Sequence, residues 1–122
     1  NSQDCKKIES MCNSFKNLIP NALPSLVHGD LWSGNLICSE NGLPVLIDPA
    51  VYFGHPEMDW AMLDLFGNYP KYSFEIYNEI NPLEAGFKKR KGIHQLYPLL
   101  VHLVLFGKSY YSSVMSKVKL YS

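Results

Sequence analysis

The sequence predicts a mainly helical α+β fold in which one small β-hairpin interrupts a series of helices. Two observations lead to this prediction. Nearly half of the 122 residues are apolar, and in most segments they recur at the three- and four-residue spacing of a helix that buries one face. Between residues 36 and 47, two short apolar runs instead flank Asn41-Gly42, a dipeptide typical of hairpin turns. At this length the chain is one domain at most, or one lobe of a larger one.

The first predicted element is a helix over residues 4–18, capped by Asp4 or by Ser2. Its apolar residues recur at helical spacing and form one face: Ile8, Met11, Cys12, Phe15, Leu18 and Ile19. Pro20 and Pro24 then favour an extended connector, because proline has no backbone N–H to donate in a helix or a sheet.

The hairpin follows a short apolar segment at residues 26–28. Its predicted strands are residues 36–38 and 44–47, so that Asn35 lies at the start of one strand and Asp48 at the end of the other. Antiparallel pairing would bring these two side chains close together. The segment between Asp48 and Pro56 is predicted to be irregular, because it contains a glycine and two prolines.

Helices are predicted for most of the remaining chain, over residues 57–66, 74–80, 83–106 and 109–121. Gly67 and Pro70 should close the first of these helices, and Gly107 should end the third. Pro98 lies within the third and should kink it or divide it into two helices. The core contacts expected from this stretch are Phe87, Leu96, Leu99, Leu100, Leu103 and Val104.

The run from His28 to Asn35 carries the most specific chemical signal, together with Asp48. Asp30 could take the proton of an acceptor hydroxyl, while Asn35 and Asp48 offer the oxygen ligands that Mg²⁺ prefers. The Asp-x4-Asn spacing matches the catalytic loop of kinases, with Gly29 where protein kinases carry arginine. These residues predict phosphoryl transfer from a magnesium–nucleotide complex.

From Leu26 to about Tyr110, the chain resembles the C-terminal lobe of the fructosamine kinase (ketosamine-3-kinase) family. That family shares a protein-kinase-like fold with aminoglycoside and choline phosphotransferases. The motifs that carry the resemblance are His28-Gly29-Asp30-Leu31-Trp32-Ser33-Gly34-Asn35, Asp48-Pro49-Ala50, Gly54-His55-Pro56-Glu57-Met58-Asp59, Leu65-Phe66-Gly67, Pro82-Leu83, Leu96-Tyr97 and Leu105-Phe106-Gly107.

The resemblance implies a role for several residues around the motif. Asp30 matches the catalytic aspartate, and Asn35 and Asp48 match the metal ligands, with ATP and Mg²⁺ as cofactors. His28 resembles the structural histidine of the catalytic loop. Asp59 resembles the buried acid that braces the amides of that loop, and a carboxylate favoured by the helix dipole is nearly as good an interpretation.

Two further residues are candidates for substrate binding. Trp32 lies within the catalytic loop, where its indole could stack on a sugar ring or pack against the loop. Glu57 could contact substrate or cap the following helix, and the cap is the favoured interpretation. The basic run Lys88–Lys91 is better explained as a solvated helix face than as a contact for an anionic group.

The function that the resemblance implies is ATP-dependent phosphorylation of a sugar hydroxyl of fructosamine or ketosamine adducts, which serves protein deglycation. An aminoglycoside- or choline-kinase-like phosphotransferase is the alternative enzyme, and Trp32 and the run Asp48-Pro49-Ala50 argue against it. A non-catalytic remnant acting as an interaction module is the alternative outside enzymes. Retention of Asp30, Asn35 and Asp48 argues against a remnant.

No glycine-rich loop and no lysine of the kinase type precede His28. We therefore expect residues 1–122 to be a single kinase-like C-terminal lobe without the N-terminal nucleotide-binding lobe. The isolated chain should then have little or no activity. It should also expose an apolar surface that drives homodimer formation or binding of the missing lobe.

The charge balance and the cysteine content argue against other classes of function and partner. Lysine and arginine together number 11, as do aspartate and glutamate, and this balance predicts no nucleic-acid or membrane partner. Cys5, Cys12 and Cys38 lack metal-site spacing and suggest free thiols in a reducing cytoplasm. No basic-then-apolar run typical of a secretory leader is visible, so we expect none, and the most apolar stretch, Leu96–Phe106, is expected to be too short to span a membrane.

Overall fold

A computed structural model describes residues 2–66 and 70–122, and within these ranges it confirms the mainly helical prediction. The α-helices are α1 (Ser2–Leu18), α2 (Met58–Phe66), α3 (Lys71–Ile80), α4 (Phe87–His94), α5 (Leu96–Phe106) and α6 (Tyr111–Tyr121). The strands are β1 (Ser25–Val27), β2 (Leu36–Cys38), β3 (Pro44–Leu46) and β4 (Tyr52–Gly54). Short 3₁₀ turns cover Ser33–Asn35 and Lys108–Tyr110. The predicted stop at Gly67 lies outside the described residues.

The chain forms two compact units. The first unit combines Asn1–Asn21 with Lys88–Ser122, so it is built from two separate segments of sequence. The second unit is the continuous segment Ala22–Phe87, which contains all four strands and the predicted catalytic motif. Within the described ranges, no helix combines the length and the apolar character needed to cross a membrane.

In the first unit, α1 packs beside α6. The Tyr111 hydroxyl donates to Asp4 Oδ2 at 2.6 Å, and the Ser14 hydroxyl donates to the Tyr121 carbonyl at 3.0 Å. Because both contacts advance along the two helices in the same direction, α1 and α6 run parallel. The buried residues of these two helices are Met11, Val114, Met115 and Val118.

The predicted apolar face of α1 is only partly covered. Met11 is 5% exposed, but Ile8 and Leu18 are 39% and 38% exposed, and Cys12 also lies at the surface. A single neighbouring helix covers a narrow stripe, so the outer members of a broad apolar face stay in contact with solvent. All three cysteines are free and exposed.

The long helix predicted over residues 83–106 is divided into α4 and α5, as the position of Pro98 suggested. The break falls at Gln95 rather than at the proline, which is the third residue of α5. Pro98 has no N–H to donate to the carbonyl of His94, four residues earlier, so the helical hydrogen-bond pattern fails there. Gly107 ends α5 with a φ of 82°, and its N–H donates to the Leu103 carbonyl at 3.1 Å.

Burial along α4 and α5 differs from the prediction at several positions. Leu96 and Leu99 are buried as expected, but Leu100 and Val104 are 45% and 83% exposed. The basic run at the start of α4 is also not uniformly solvated, because Arg90 is buried although its lysine neighbours on both sides of the sequence are more exposed. In α5, the exposure of Leu100 and Val104 shows that only one face of the helix is covered by other residues.

In the second unit, β2 and β3 form the predicted antiparallel hairpin, with Leu36 opposite Leu46 and Ile37 opposite Val45. Gly42 adopts a φ of 76° in the connecting turn, and its N–H donates to the Ser39 carbonyl at 2.9 Å. A left-handed backbone of this kind favours glycine, which explains the turn signal in the sequence.

The segment predicted to be irregular contains a strand instead. Residues Tyr52–Gly54 form β4, which pairs antiparallel with β1 so that Leu26 lies opposite Phe53. The prolines that suggested irregular structure lie outside the strand, at residues 49 and 56. In the sequence, the strands of one sheet, β1 and β4, lie before His28 and after Asp48. The strands of the other sheet, β2 and β3, lie between Asn35 and Asp48.

The helices of the second unit meet at an aromatic cluster. The Trp60 ring in α2 lies 5.1 Å from the rings of both Phe74 and Tyr77 in α3, and Phe74 stacks on Phe87 at 5.7 Å. The start of α3 is Lys71, three residues earlier than predicted. This cluster and the buried residues Ala61, Met62 and Leu63 hold α2 in place. The first turn of α2 carries Asp59, which contacts the predicted catalytic motif.

Candidate functional site

The predicted catalytic motif, His28–Asn35, begins directly after β1, where Asp59 in the first turn of α2 accepts hydrogen bonds from two consecutive backbone amides. The N–H of His28 donates to Asp59 Oδ2 at 2.7 Å, and the N–H of Gly29 donates to Asp59 Oδ1 at 3.0 Å. Hydrogen bonds to a carboxylate are shorter and stronger than neutral ones. Asp59 therefore fixes the path of the chain as it leaves the strand.

The His28 side chain links the motif to the end of the hairpin. Its Nε2 lies 3.0 Å from the Ile47 carbonyl, and its Nδ1 accepts the N–H of Asp30 at 3.3 Å. With Nδ1 as the acceptor of this bond, Nε2 is the ring atom placed to donate to the Ile47 carbonyl. The His28 carbonyl also accepts the N–H of Ala50 at 2.8 Å.

Gly29 has no space for a side chain. Its φ is 81°, and a Cβ at this position would lie 2.1 Å from the Ala50 carbonyl oxygen. The arginine that protein kinases carry here could not be accommodated without moving one of the two backbone segments. Glycine therefore permits the close approach of the motif to the segment that follows Asp48.

Asp30 and Asn35 are in direct contact. The Asn35 Nδ2 donates to the Asp30 backbone carbonyl at 2.9 Å and to Asp30 Oδ2 at 3.1 Å. Asn35 is buried, while Asp30 is half-buried. The 3₁₀ turn makes this possible, because the Asn35 N–H donates to the Trp32 carbonyl and curls the chain back toward Asp30. The amide nitrogen is committed to Asp30, and the amide oxygen is the atom available to a cation.

The hairpin brings the segment of Asp48 beside Asn35. The N–H of Ile47 donates to the Asn35 carbonyl at 3.0 Å, which extends the ladder by one residue beyond β2 and β3. Asp48 is the next residue after Ile47, and it is exposed. In the described ranges it is the sole non-glycine residue with a positive φ, at 49°. Aspartate tolerates this backbone better than most residues. The carboxylate and carboxamide oxygens of Asp48 and Asn35 are a donor set that fits Mg²⁺.

Trp32 packs within its own loop and also reaches solvent. A Cβ at Gly34 would lie 2.2 Å from the Trp32 ring, so the indole covers this glycine. The residue is nevertheless 40% exposed. The contact with Gly34 shows the loop packing that the sequence suggested, and the exposed part leaves room for the other interpretation, stacking on a sugar.

Glu57 precedes α2, and its carbonyl accepts the N–H of Ala61 at 2.9 Å. Its own N–H donates to His55 Nδ1 at 3.3 Å. The residue is fully buried. This burial favours a structural role at the start of the helix over direct contact with substrate.

Several residues around the motif were not found by sequence reasoning. Ile47 and Ala50 contribute through backbone atoms, which carry no signal in the residue type. The ring of Tyr52 lies against Gly29 and Gly54, where added Cβ atoms would be 3.1 and 2.5 Å from it. The residue stands in the segment that was predicted to be irregular, where no periodicity marked it.

Comparisons with known proteins agree on one family. A family model described as fructosamine kinase matches residues 1–121. A probable ketoamine kinase from Enterococcus faecium is 52% identical over 91 residues, which is 75% of this chain and 33% of that protein. A chloroplastic protein-ribulosamine 3-kinase from Arabidopsis thaliana is 41% identical over 109 residues, covering 89% of this chain and 32% of its own.

A solved structure shows the same fold. The crystal structure of a protein from Thermobifida fusca, assigned provisionally as a fructosamine-3-kinase, superposes with a TM-score of 0.89 at 38% identity. The match covers 98% of this chain and 42% of the Thermobifida chain. The chain spans about a third of the length of the curated relatives it matches.

Proposed function

Since this chain belongs to the fructosamine kinase family, we propose that it is the C-terminal catalytic lobe of an enzyme that phosphorylates a sugar hydroxyl of ketosamine adducts with ATP and Mg²⁺. The observation that carries the proposal is the contact of Asn35 with Asp30, beside the segment of Asp48. The name of the Arabidopsis relative points to adducts on proteins, so protein deglycation is the proposed physiological process.

Asp30 is the proposed general base. Asn35 Nδ2 occupies its Oδ2, so Oδ1 is free to accept the proton of the acceptor hydroxyl. The hydroxyl oxygen then forms a bond to the γ-phosphorus of ATP, the bond from that phosphorus to the β–γ bridging oxygen breaks, and ADP leaves. The Asn35 contact orients the Asp30 carboxylate before the substrate arrives.

Asn35 and Asp48 are the proposed metal ligands, through the amide oxygen of one and the carboxylate of the other. When bound there, Mg²⁺ neutralises charge on the phosphates of the nucleotide. Asn35 would then join the two functions of the site, because its nitrogen holds the base and its oxygen faces the metal.

His28 and Asp59 are proposed to support the catalytic loop, since both are engaged with backbone groups of that loop or of the hairpin. The exposed part of Trp32 is the proposed surface for the sugar ring of the substrate. Among the 122 residues there is neither a glycine-rich loop nor a kinase-type lysine before the motif. We propose that a nucleotide-binding lobe completes the site, so the isolated chain turns over little or no substrate. A cytoplasmic location stays a prediction.

A chimera tests the function. The matching third of the Enterococcus faecium ketoamine kinase is replaced by this chain, and ATP consumption is measured with a fructosyl-amine, an aminoglycoside and choline. We expect consumption that depends on the fructosyl-amine. The Asp30→Asn variant should lower kcat by about 10²- to 10⁴-fold, the usual range for a general base.

Glu40→Gln is the matched control, since it neutralises an exposed carboxylate in the turn of the same hairpin. It should leave kcat unchanged, and circular dichroism should show the same fold for all chimeras. Full activity of the Asp30→Asn chimera would refute the assignment of the base. A preference for choline or the aminoglycoside would refute the substrate class, and robust turnover by the isolated chain would refute the need for a second lobe.

A further inference from the structure

The zero net charge of the chain conceals an unequal division between the two units. The first unit holds ten lysine and arginine residues against two acidic residues, whereas Ala22–Phe87 holds one basic residue against nine acidic ones. Lys88–Ser122 contains no aspartate or glutamate at all. Each unit therefore carries a large net charge although the whole chain carries none, and the first unit is strongly basic.

The basic residues of the first unit are concentrated where three helices meet at Tyr121. The Tyr121 hydroxyl donates to the Lys89 carbonyl at the start of α4 at 2.8 Å, and the Tyr121 carbonyl accepts from Ser14 near the end of α1. The ends of α1 and α6 and the start of α4 are thus adjacent. Six lysines lie on these segments and define the basic end of the unit: Lys16, Lys88, Lys89, Lys91, Lys117 and Lys119.

No aspartate or glutamate of the first unit lies on the segments that form the basic end. The unit's two acidic residues, Asp4 and Glu9, lie in the first half of α1, and Asp4 is bonded to Tyr111 at the opposite end of α6. Lys16, Lys88, Lys89 and Lys119 are exposed, and the other two lysines are partly so. These four exposed lysines form no ion pair with the parts of the chain that the structure describes.

Helix stability does not explain the two lysines at the start of α4. Lys88 and Lys89 are the second and third residues of this helix. The first turn of a helix carries partial positive charge, which favours acidic side chains and disfavours basic ones. Two adjacent lysines there oppose local stability, and residues that break a local rule are expected where a surface has a function.

The composition of the basic end selects among anionic partners. Lysine is depleted at protein–protein interfaces, which rely on aromatic and arginine anchors. Binding of such a surface to a membrane is strengthened by apolar side chains that insert into the lipid. The same segments carry few exposed apolar side chains, Leu18 and Leu120 among them, which disfavours a membrane as the partner. Lysine is well suited to phosphates as a compact point charge, and a nucleic acid presents a closely spaced row of them.

We propose that the basic end binds the phosphate backbone of nucleic acid without regard to sequence. Binding is driven by release of counterions from the phosphates, so it weakens steeply as salt rises. Every residue that carries this interaction lies in the first unit, whereas Asp30, Asn35 and Asp48 lie in the second.

Fluorescence anisotropy with the 122-residue chain tests the proposal. The probes are a labelled DNA duplex of about 20 base pairs, two helical turns, and a single-stranded RNA of equal length. Between about 50 and 200 mM salt we expect log K for the duplex to fall with log salt at a slope of roughly −4, which corresponds to four or five phosphate contacts. The Lys88→Glu/Lys89→Glu variant should bind at least about tenfold more weakly and should lower the magnitude of the slope by about 2.

Lys6→Glu/Lys7→Glu is the matched control, because it changes the net charge of the same unit equally at the other end of α1. It should weaken binding much less. The variant at Lys88 and Lys89 should keep or raise the melting temperature, since glutamate suits the first turn of α4. Equal losses in the two variants would show attraction by net charge alone and would overturn the proposal. Tighter binding to poly-glutamate or phosphatidylserine vesicles than to both nucleic acids would also overturn it.

Discussion

At the scale of single residues, Gly29 allows the predicted catalytic motif to approach the segment after Asp48 closely. Its positive φ and the nearby Ala50 carbonyl both exclude a side chain. Gly42 in the hairpin turn shares the positive φ but has no atom within 4 Å of the position that a Cβ would take. A comparison of alanine substitutions at the two glycines therefore distinguishes two contributions to the free energy of unfolding. One is the strain of a positive φ, and the other is the overlap of a side chain with a neighbouring backbone atom.

We expect Gly42→Ala to lower the free energy of unfolding by about 1–2 kcal/mol, the cost of a left-handed backbone for alanine. Gly29→Ala should cost about 3 kcal/mol or more, because overlap with the Ala50 carbonyl is added to that strain. Urea unfolding followed by tryptophan fluorescence measures both, since Trp32 and Trp60 lie in the second unit. Equal losses would mean that the Ala50 segment moves aside without cost.

The residue types of the site could be predicted from the sequence, but their support could not. Asp30, Asn35 and Asp48 could be chosen as candidates without a structure, because their spacing is typical of kinase catalytic loops. The carbonyls of Ile47 and Ala50 act through the main chain, and any residue type supplies a carbonyl. Only the fold shows which backbone atoms reach His28 and Gly29.

At the scale of elements, the hydrogen bond from the Tyr111 hydroxyl to Asp4 links α1 and α6 at one end. The hydrogen bond from Tyr111 lowers the pKa of Asp4 below its ordinary value of 3.8, and the same bond raises the pKa of Tyr111 above its ordinary value of 10.0. A lowered aspartate pKa gives stability that is lost as pH falls through the folded value. A raised tyrosine pKa gives stability that is lost as pH rises through the folded value.

The Tyr111→Phe variant should therefore be less stable than the parent chain between these limits, with a difference that shrinks toward both extremes of pH. Hydrogen exchange of the α1 amides is the suitable measurement, because neither tryptophan lies in the first unit. The control is Tyr72→Phe, which removes an exposed hydroxyl in the second unit. A constant difference between Tyr111→Phe and the parent chain from acidic to alkaline pH would contradict the assigned role of the hydrogen bond.

Element boundaries were predictable where a residue type dictates the backbone, and less so elsewhere. Asn41-Gly42 and Gly107 require particular φ values, so the hairpin turn and the end of α5 fell where expected. Strand β4 was missed because its three residues lie between prolines and its pairing with β1 is long-range. The division of α4 from α5 was expected, but the missing N–H of Pro98 takes effect at Gln95, nearly one turn earlier.

At the scale of the whole molecule, many large apolar side chains of the described residues lie at the surface. Leu23, Phe53, Ile80 and Val104 are each at least 75% exposed. They come from a connector, a strand and two helices, so the exposed apolar area is not confined to one element. Monomeric soluble proteins rarely leave large contiguous apolar patches in water, and patches of this kind mark interaction sites.

We expect the chain to self-associate as its concentration rises, and sedimentation velocity checks this. The association should persist in about 1 M salt, where charges are screened beyond roughly 3 Å and apolar contacts are not weakened. Loss of association in high salt would instead indicate attraction between oppositely charged units of two copies. A monomer at every concentration would refute the expectation outright.

The discontinuous first unit also sets the order in which this chain can fold as it is made. The hydrogen-bonded partners that join α1 to α6 are 107 residues apart in sequence. Among the described residues, the hydrogen bonds around Asp30 and Asn35 lie within the continuous Ala22–Phe87 segment. Since domains fold as their segments emerge from the ribosome, the catalytic segment can form while α1 still lacks its neighbour. A nascent chain stalled before Tyr111 would thus hold an intact His28–Asn35 loop and an amphipathic α1 without its neighbour α6, and exposed apolar surface of this kind is a target for chaperones.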